Sequence, residues 1–142
     1  MIVTGGNRGV GEGISRELCK ANASVAIIYN SAKDADEVAS KMASEFGVKV
    51  KAFQCDVGKA ERVKEVFDTI EKEMGEIHGL VANAGICIVK KAIDMTADDF
   101  HKQMEVNVLG VFNTCQAAAR CVLSPFLRLT NSSRLGQPVD GS

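Results

Sequence analysis

The sequence predicts an α/β protein built on a three-layer, doubly wound parallel sheet of the Rossmann type. Short apolar runs alternate with amphipathic segments in the order β-α-β-α-β-α-β-α-α, which is typical of a parallel sheet covered by helices on both faces. A glycine-rich turn, Thr4 to Gly13, lies between the first apolar run and the first helix. Right-handed crossovers and a switch point beside the first strand predict the strand order 3-2-1-4.

Four short apolar runs predict the strands. Met1-Ile2-Val3 leads into the glycine-rich turn, and Ser24–Tyr29 is rich in β-branched residues, as a buried parallel strand is. Val48–Cys55 alternates apolar residues with lysine, so we expect this third strand to lie nearer an edge. Ile77–Ala82 is almost wholly apolar, which suits a central strand.

Amphipathic spacing predicts the helices between these strands. Val10, Ile14 and Leu18 recur at every fourth residue and would form the packing face of a helix from about Gly11 to Asn22. Two further segments place apolar residues at offsets of 3, 4, 7 and 11, and each ends at a glycine. Their apolar positions are Ala35, Val38, Ala39, Met42 and Phe46 before Gly47, and Val63, Val66, Phe67, Ile70 and Met74 before Gly75.

The last part of the sequence predicts helical structure up to about Pro125 and a different structure after it. Thr96, followed by acidic residues, is typical of a helix N-cap. Val106–Leu123 is apolar or small almost all round, so we expect a helix buried on more than one face, which Pro125 should end. We therefore expect one domain over residues 1–123. Residues 124–142 would form an irregular tail or, at Phe126–Thr130, a vestigial fifth strand.

Composition excludes several classes of function. The 17 basic and 18 acidic residues give a formal net charge of −1, which argues against a nucleic-acid partner or an anionic membrane surface. No apolar run approaches the roughly 20 residues that span a bilayer, and the N-terminus does not resemble a signal peptide. Five dispersed cysteines suggest reduced thiols in the cytoplasm. His78 and His101 lack metal-ligand spacing, so no metal is expected.

The glycine-rich turn is the first candidate site, and it predicts a dinucleotide pyrophosphate as the ligand. Its candidate residues are Gly5, Asn7, Arg8, Gly9, Val10 and Gly11. Glycines let the backbone approach phosphates closely, and the N–H groups at the start of a helix favour an anion. The spacing Thr-Gly-x-x-x-Gly-x-Gly is not the general G-x-G-x-x-G, since Ile14 stands where the third glycine would be. Taken alone, the turn is also compatible with a merely flexible connection.

The end of the second strand favours NADP over NAD. NAD sites commonly place an acidic residue about 20 residues past the glycines, where it bonds the ribose 2′-hydroxyl. Here Asn30 and Ser31 occupy that place, and no acid follows until Asp34. Both can donate hydrogen bonds to a 2′-phosphate, and Arg8 supplies positive charge. The alternative for Arg8 is a solvated surface arginine.

Two further strand ends carry candidate residues. Asp56 could accept a hydrogen bond from an adenine amino group while Val57 covers the ring, or Asp56 could simply cap a turn. Asn83, Ala84 and Gly85 follow the fourth strand, and small residues there leave room for a ribose and nicotinamide. On the residues alone, each of these two segments could be either a simple turn or a binding site.

Taken together, these motifs resemble the short-chain dehydrogenase/reductase family. The matches, in order, are Thr4-Gly5-x-x-x-Gly9-x-Gly11, Asp56-Val57, Asn83-Ala84-Gly85, and Asn107 within Val106–Gly110. Within the family, Ala26–Ser31 and Leu80–Cys87 are most similar to NADP-dependent ketose and polyol reductases of the mannitol and sorbose type. The resemblance implies NADP as cofactor, a small ketone or polyol as substrate, and a homo-oligomer.

The resemblance also assigns a role to Asn107 and raises a question about catalysis. It implies that Asn107 bends its helix and orders a water in the proton relay, although a structural asparagine that bonds nearby backbone is the alternative. The family's chemistry uses a tyrosine acid/base with a lysine four residues later. The single tyrosine here, Tyr29, ends the second strand, and no lysine follows Lys102. We therefore expect the catalytic pair to be missing.

That expectation leaves several hypotheses for function. Members of the family continue through further strands, so we expect an incomplete sheet, a truncated chain whose first strand is trimmed at Met1, and no activity of this chain alone. It could be a shortened copy of a reductase, a non-catalytic NADP-binding module or partner of a full-length homologue, or a protein that does not fold stably.

Overall fold

The computed structural model describes the backbone of residues 1–134 and the side chains of residues 1–123. Within this part, four parallel strands form one sheet in the order β3-β2-β1-β4, which confirms the predicted order. In the register, Val3 of the first strand lies between Ile27 of the second and Val81 of the fourth. The strands are β1 (Ile2–Thr4), β2 (Val25–Tyr29), β3 (Val50–Gln54) and β4 (Leu80–Val81).

The helices alternate with the strands along the chain. Gly47 ends the second helix, as predicted, and its φ of +68° places it in the left-handed conformation. A short 3₁₀ turn, Ala92–Asp94, precedes the last helical region. The helices are α1 (Gly9–Lys20), α2 (Ala35–Phe46), α3 (Ala60–Met74), α4 (Ala97–Met104) and α5 (Gly110–Arg134), with a π-helical segment, Glu105–Leu109, between the last two.

The core lies in two layers because side chains alternate across a strand. Ile2 and Ile28 point to one face of the sheet, where they pack with Phe67 and Ile70 of α3. Val3 and Ile27 point to the other face, towards Cys19 of α1 and residues of α2. Helices thus cover both faces, which confirms the three-layer α/β fold.

The fourth strand is shorter than the predicted Ile77–Ala82. Only Leu80 and Val81 pair, opposite Ile2 and Val3 of β1, and the Ile2 N–H also donates a hydrogen bond of 2.9 Å to the Gly79 carbonyl oxygen. Ile77 is nevertheless 3% exposed and fills the core below β1. The apolar run was therefore correctly placed in the core but wrongly assigned to strand along its whole length.

The first helix begins two residues earlier than predicted, at Gly9. Ile14 and Leu18 pack on the sheet as expected. Val10 does not pack there, because it is 77% exposed in the first turn of the helix, where it lines the cavity described below. The prediction that Val10 shares the packing face is wrong.

The last helical region begins as the sequence predicted. Thr96 accepts a hydrogen bond from the Asp99 N–H, and the Asp99 carboxylate accepts one from the Thr96 N–H, which makes a complete capping box. The predicted burial of several helix faces is wrong, since Val108 is 58% and Phe112 60% exposed. One face of α5, which includes Ala118, is buried against α3.

The end of this region also differs from the prediction. The helix α5 continues past Pro125 to Arg134, so neither the stop at Pro125 nor a fifth strand at Phe126–Thr130 is correct. A proline inside a helix removes one backbone hydrogen bond and costs about 3 kcal/mol, which the rest of a helix of 25 residues can offset. The predicted irregular tail is helical over 124–134, and its remainder lies outside the described residues.

None of the helices within the described residues combines the length and the apolar character that crossing a membrane requires.

Candidate functional site

A cavity of about 550 Å³ lies where the carboxyl ends of the parallel strands meet. It brings together all of the residues predicted to bind the cofactor, which come from four separate parts of the sequence. Such a crevice at the strand ends is where open parallel sheets hold ligands. The lining residues from the prediction are Gly5, Asn7, Arg8, Gly9, Val10, Gly11, Asn30, Ser31, Asp56, Val57, Asn83, Ala84 and Gly85.

The glycine-rich turn is closely packed and is not merely a flexible connection. A Cβ atom on Gly11 would lie 2.1 Å from the Gly5 carbonyl oxygen, so only glycine fits there. Gly9 has φ +55°, in the left-handed region. The hydroxyl of Ser15 lies 3.1 Å from the Gly6 oxygen and 2.9 Å from the Gly11 oxygen and can donate to either. Ser15 is fully buried, and sequence reasoning missed this support.

The start of α1 can attract an anion. Arg8 is the N-cap residue, and its side chain makes no capping hydrogen bond. The N–H of Glu12 bonds the Arg8 carbonyl, which is the first backbone bond of the helix. Among the described residues, no acceptor pairs with the N–H groups of Gly9, Val10 and Gly11. These groups line the cavity, where the helix dipole favours negative charge.

A hydrogen-bonded cluster joins the ends of β1 and β4, and two of its members, Asn83 and Ala84, line the cavity. The Thr4 hydroxyl oxygen accepts hydrogen bonds of 2.9 Å from the N–H groups of both Asn83 and Ala84. The Asn83 side-chain amide donates to the Thr4 carbonyl oxygen at 2.9 Å. Asn83 thus holds the turn and lines the cavity at once. Thr4, 2% exposed, begins the glycine-rich motif, and the sequence did not reveal that its hydroxyl group joins the two strand ends.

Arg8 and Asp56 are the charged residues of the cavity wall. Arg8 is exposed, and no carboxylate within residues 1–123 pairs with it, whereas Arg16 on the same helix is paired with Glu12 and Glu45. Asp56 accepts a hydrogen bond of 3.0 Å from the Gly58 N–H through one carboxylate oxygen. The turn-capping interpretation of Asp56 is therefore correct, and a contact with adenine stays a prediction.

Several wall residues escaped the sequence analysis because nothing in their local pattern marks them. Cys55 is 3% exposed, and burial raises the pKa of its thiol to about 11, so the thiol is protonated at neutral pH. Tyr29 is half-buried in the same wall. The remaining wall residues of this kind are Ile28, Ala32, Ile86 and Val106.

The expectation that the spacing Tyr-x-x-x-Lys is missing from this chain needs correction. Lys33 follows Tyr29 by four residues, so the spacing Tyr-x-x-x-Lys does occur in this chain. On a helix this spacing stacks the two side chains on one face. Here Tyr29 ends β2 and Lys33 lies in the loop before α2, so no helical turn brings them together. The two residues thus have the family's spacing in the sequence, but they do not lie on one helix.

Asn107 lies in the π-helical segment and outside the cavity wall. Its side chain accepts a hydrogen bond of 2.8 Å from the Ile86 N–H and donates one of 2.9 Å to the Ile86 carbonyl oxygen. This is the backbone-bonding alternative for Asn107. A π-segment commonly marks a functional position in a helix, and here it coincides with the predicted bend.

The loop after β3 is held by the same helical region. The Asn113 amide, 8% exposed, donates to the Val57 carbonyl oxygen at 3.0 Å. Lys59 and Glu105 form an ion pair at 2.5 Å, which raises the pKa of the lysine. The helical region therefore supports two of the loops that line the cavity. Within the described part of the chain, no three His, Cys, Asp or Glu residues lie close enough to hold a metal ion.

Comparison with known proteins identifies the family. A family model described as short chain dehydrogenase matches residues 1–126. The chain belongs to the short chain dehydrogenase family. It is 38% identical over 117 residues to an uncharacterized oxidoreductase of Schizosaccharomyces pombe, covering 82% of this chain and 44% of that protein. An NADP-dependent mannitol dehydrogenase of Alternaria alternata is 32% identical over 120 residues, covering 82% of this chain and 45% of that protein.

A solved structure agrees with this assignment. An alcohol dehydrogenase from the archaeon Thermococcus sibiricus, complexed with 5-hydroxy-NADP, superimposes with a TM-score of 0.80 at 32% identity. The match covers 87% of this chain and 52% of that one. This chain therefore spans about half the length of the relatives that it matches.

Proposed function

We propose that this chain binds NADP(H) in the cavity at the strand ends. The observation that carries the proposal is the convergence of every predicted cofactor residue on one cavity. The unpaired N–H groups at the start of α1 would hold the pyrophosphate. Asp56 and Val57 would contact the adenine, and Asn83, Ala84 and Gly85 would border the ribose and nicotinamide. Residues 1–123 are then an NADP-binding domain.

The choice of NADP over NAD rests on Arg8, Asn30 and Ser31, which line the cavity without an acid beside them at the end of β2. A carboxylate there would repel a 2′-phosphate, whereas an arginine and two hydrogen-bond donors would attract it. The description of the Alternaria relative as NADP-dependent supports the same choice.

For the activity, we propose the family's hydride transfer between NADP(H) and a sugar ketone or polyol. The mannitol dehydrogenases among the relatives support this substrate class. Asn107 would order a water for the proton relay. We further propose a cytoplasmic location, which the free state of all five cysteines supports, and a homo-oligomeric assembly.

A second candidate is favoured by the position of Tyr29. Because Tyr29 and Lys33 share no helix, this chain holds no helical tyrosine–lysine pair within residues 1–123. We propose that the chain by itself is inactive and acts as an NADP-binding module or as the partner of a full-length homologue.

Titration of the purified chain with NADPH, followed by the fluorescence of the reduced nicotinamide, tests the binding proposal. We expect saturable binding that 2′,5′-ADP displaces, and weaker binding of NADH. Absence of binding for both dinucleotides by a chain with a cooperative thermal melt would reject the proposal. A full-length homologue serves as the positive control.

A further inference from the structure

The segment after Gly85, residues 86–90, is held by the side chains of one helical face. We call this segment the lip. Asn107 bonds both backbone polar groups of Ile86, and the Gln103 side-chain oxygen accepts a hydrogen bond of 3.0 Å from the Ile88 N–H. Asp99 accepts one of 2.5 Å from the Lys90 ammonium group. The helix thus contacts every second residue of the lip.

The spacing of these contacts is regular. The helical residues 99, 103 and 107 are four apart, and their partners 90, 88 and 86 are two apart and run in the opposite direction. Four residues of α-helix, as from Asp99 to Gln103, rise about 6.0 Å, and two residues of extended chain advance about 6.6 Å. The two repeats match closely enough for an extended segment to lie antiparallel along the helix with one contact at each step.

The middle contact, like the outer one, was not anticipated from the sequence. Gln103 and Ile88 are both half-buried, while Cys87 and Val89 between the contacts are exposed. Asn107 holds the backbone of Ile86 through two hydrogen bonds. The Gln103 contact, two residues further on, holds the backbone of the lip at a second residue. Ile86, at the start of the lip, lines the cavity directly after Gly85.

The outer contact is anchored in turn. The Asp99 carboxylate accepts hydrogen bonds from the Thr96 N–H and hydroxyl as well as from Lys90. These bonds lower the pKa of Asp99 to about 2, so its charge persists at neutral pH. The capping box of α4 therefore holds the far end of the lip.

We propose that Gln103 is a positioning residue that holds the lip over the nicotinamide half of the bound dinucleotide. This inference rests on the proposed NADP(H) site. Ile86 adjoins Gly85 at the nicotinamide end, whereas the 2′-phosphate end lies at Arg8, Asn30 and Ser31. Loss of the Gln103 contact should therefore weaken binding of the whole dinucleotide and spare ligands that contain only its adenosine half.

The test uses two substitutions of similar size. Gln103→Leu removes the acceptor, and Gln103→Glu keeps an oxygen that can accept from the Ile88 N–H. Lys102→Ala, on the exposed neighbouring position, is the control. Binding of NADPH and of 2′,5′-ADP is measured for each chain, together with hydrogen exchange in residues 86–90.

For Gln103→Leu we expect NADPH binding about two- to tenfold weaker, as loss of one hydrogen bond implies, and faster exchange in the lip. Binding of 2′,5′-ADP should stay at the wild-type value, and Gln103→Glu should restore both NADPH affinity and exchange. Unchanged NADPH binding in Gln103→Leu, or equal weakening of both ligands, would overturn the inference alone. A wild-type chain that binds neither ligand would overturn the proposed function and this inference with it.

Discussion

Replacement of Arg8 by alanine is the sharpest test of cofactor choice. Arg8 lies in the cavity wall, is exposed, and has no carboxylate partner within residues 1–123. Its guanidinium group is therefore available to a phosphate. The side chain makes no capping bond to α1, so Arg8→Ala should leave the helix and the thermal stability unchanged.

The magnitude follows from the loss of one charged hydrogen bond. Such a bond contributes about 1.5–3 kcal/mol, which corresponds to a change in Kd of about 10- to 150-fold. Because Arg8 is exposed to solvent and salt, the lower end of this range is expected, about tenfold for NADPH. NADH carries a 2′-hydroxyl instead of the phosphate, so its affinity should change little.

The assay is a fluorescence titration of each chain with NADPH and NADH at low and high salt. Lys20→Ala is a matched control, because it removes one positive charge from the far end of the same helix, about 17 Å away. The effect of Arg8→Ala on NADPH should shrink as salt rises. Equal losses for both dinucleotides would refute the assignment of Arg8 to the 2′-phosphate.

Three further predictions concern activity, assembly and stability. The purified chain should not oxidise NADPH with fructose or sorbose, because Tyr29 and Lys33 share no helix; turnover that copurifies with the chain would contradict this. The exposed apolar face that includes Val108 and Phe112 should cause the chain to self-associate at micromolar concentration. Sedimentation should detect this association, and Phe112→Ser should reduce it. A monodisperse wild-type monomer with a cooperative melt would disprove the prediction. Thr4→Val should lower the free energy of unfolding, measured by denaturant titration, by about 1–3 kcal/mol, since two N–H groups lose their acceptor. Thr4→Ser keeps the hydroxyl group and should not lower it. Equal stability of the two variants would exclude a stabilising role of the Thr4 hydroxyl.

Local patterns predicted most of the architecture. Apolar alternation and helical spacing depend on neighbours in the sequence, so they correctly indicated four strands, their order, and the packing faces of α2 and α3. The strand-end candidates were also predictable, because parallel strands bring their carboxyl ends to one edge whatever the details of packing. The glycines of the turn were predictable for a similar reason, because a positive φ or a close backbone contact is a requirement of a single position.

Local patterns were misleading where the environment of a residue decides its role. Val10 has the spacing of a packing residue and yet is 77% exposed. The spacing of Tyr29 and Lys33 was overlooked in the sequence, and only a helix would place the two side chains together. The apolar run Ile77–Ala82 has the composition of a strand, but only Leu80 and Val81 pair with β1.

The sequence by itself thus determined the fold class, the glycine-rich turn and the candidate cofactor residues that meet at the cavity, but not the rest of its wall. Only the tertiary structure decided how they are held there. Thr4 supports Asn83 across 79 positions of the sequence, and Gln103 holds Ile88 across 15. The physical reason is that such contacts are set by the crossovers and by the approach of a helix to a loop, which no periodicity within one segment encodes.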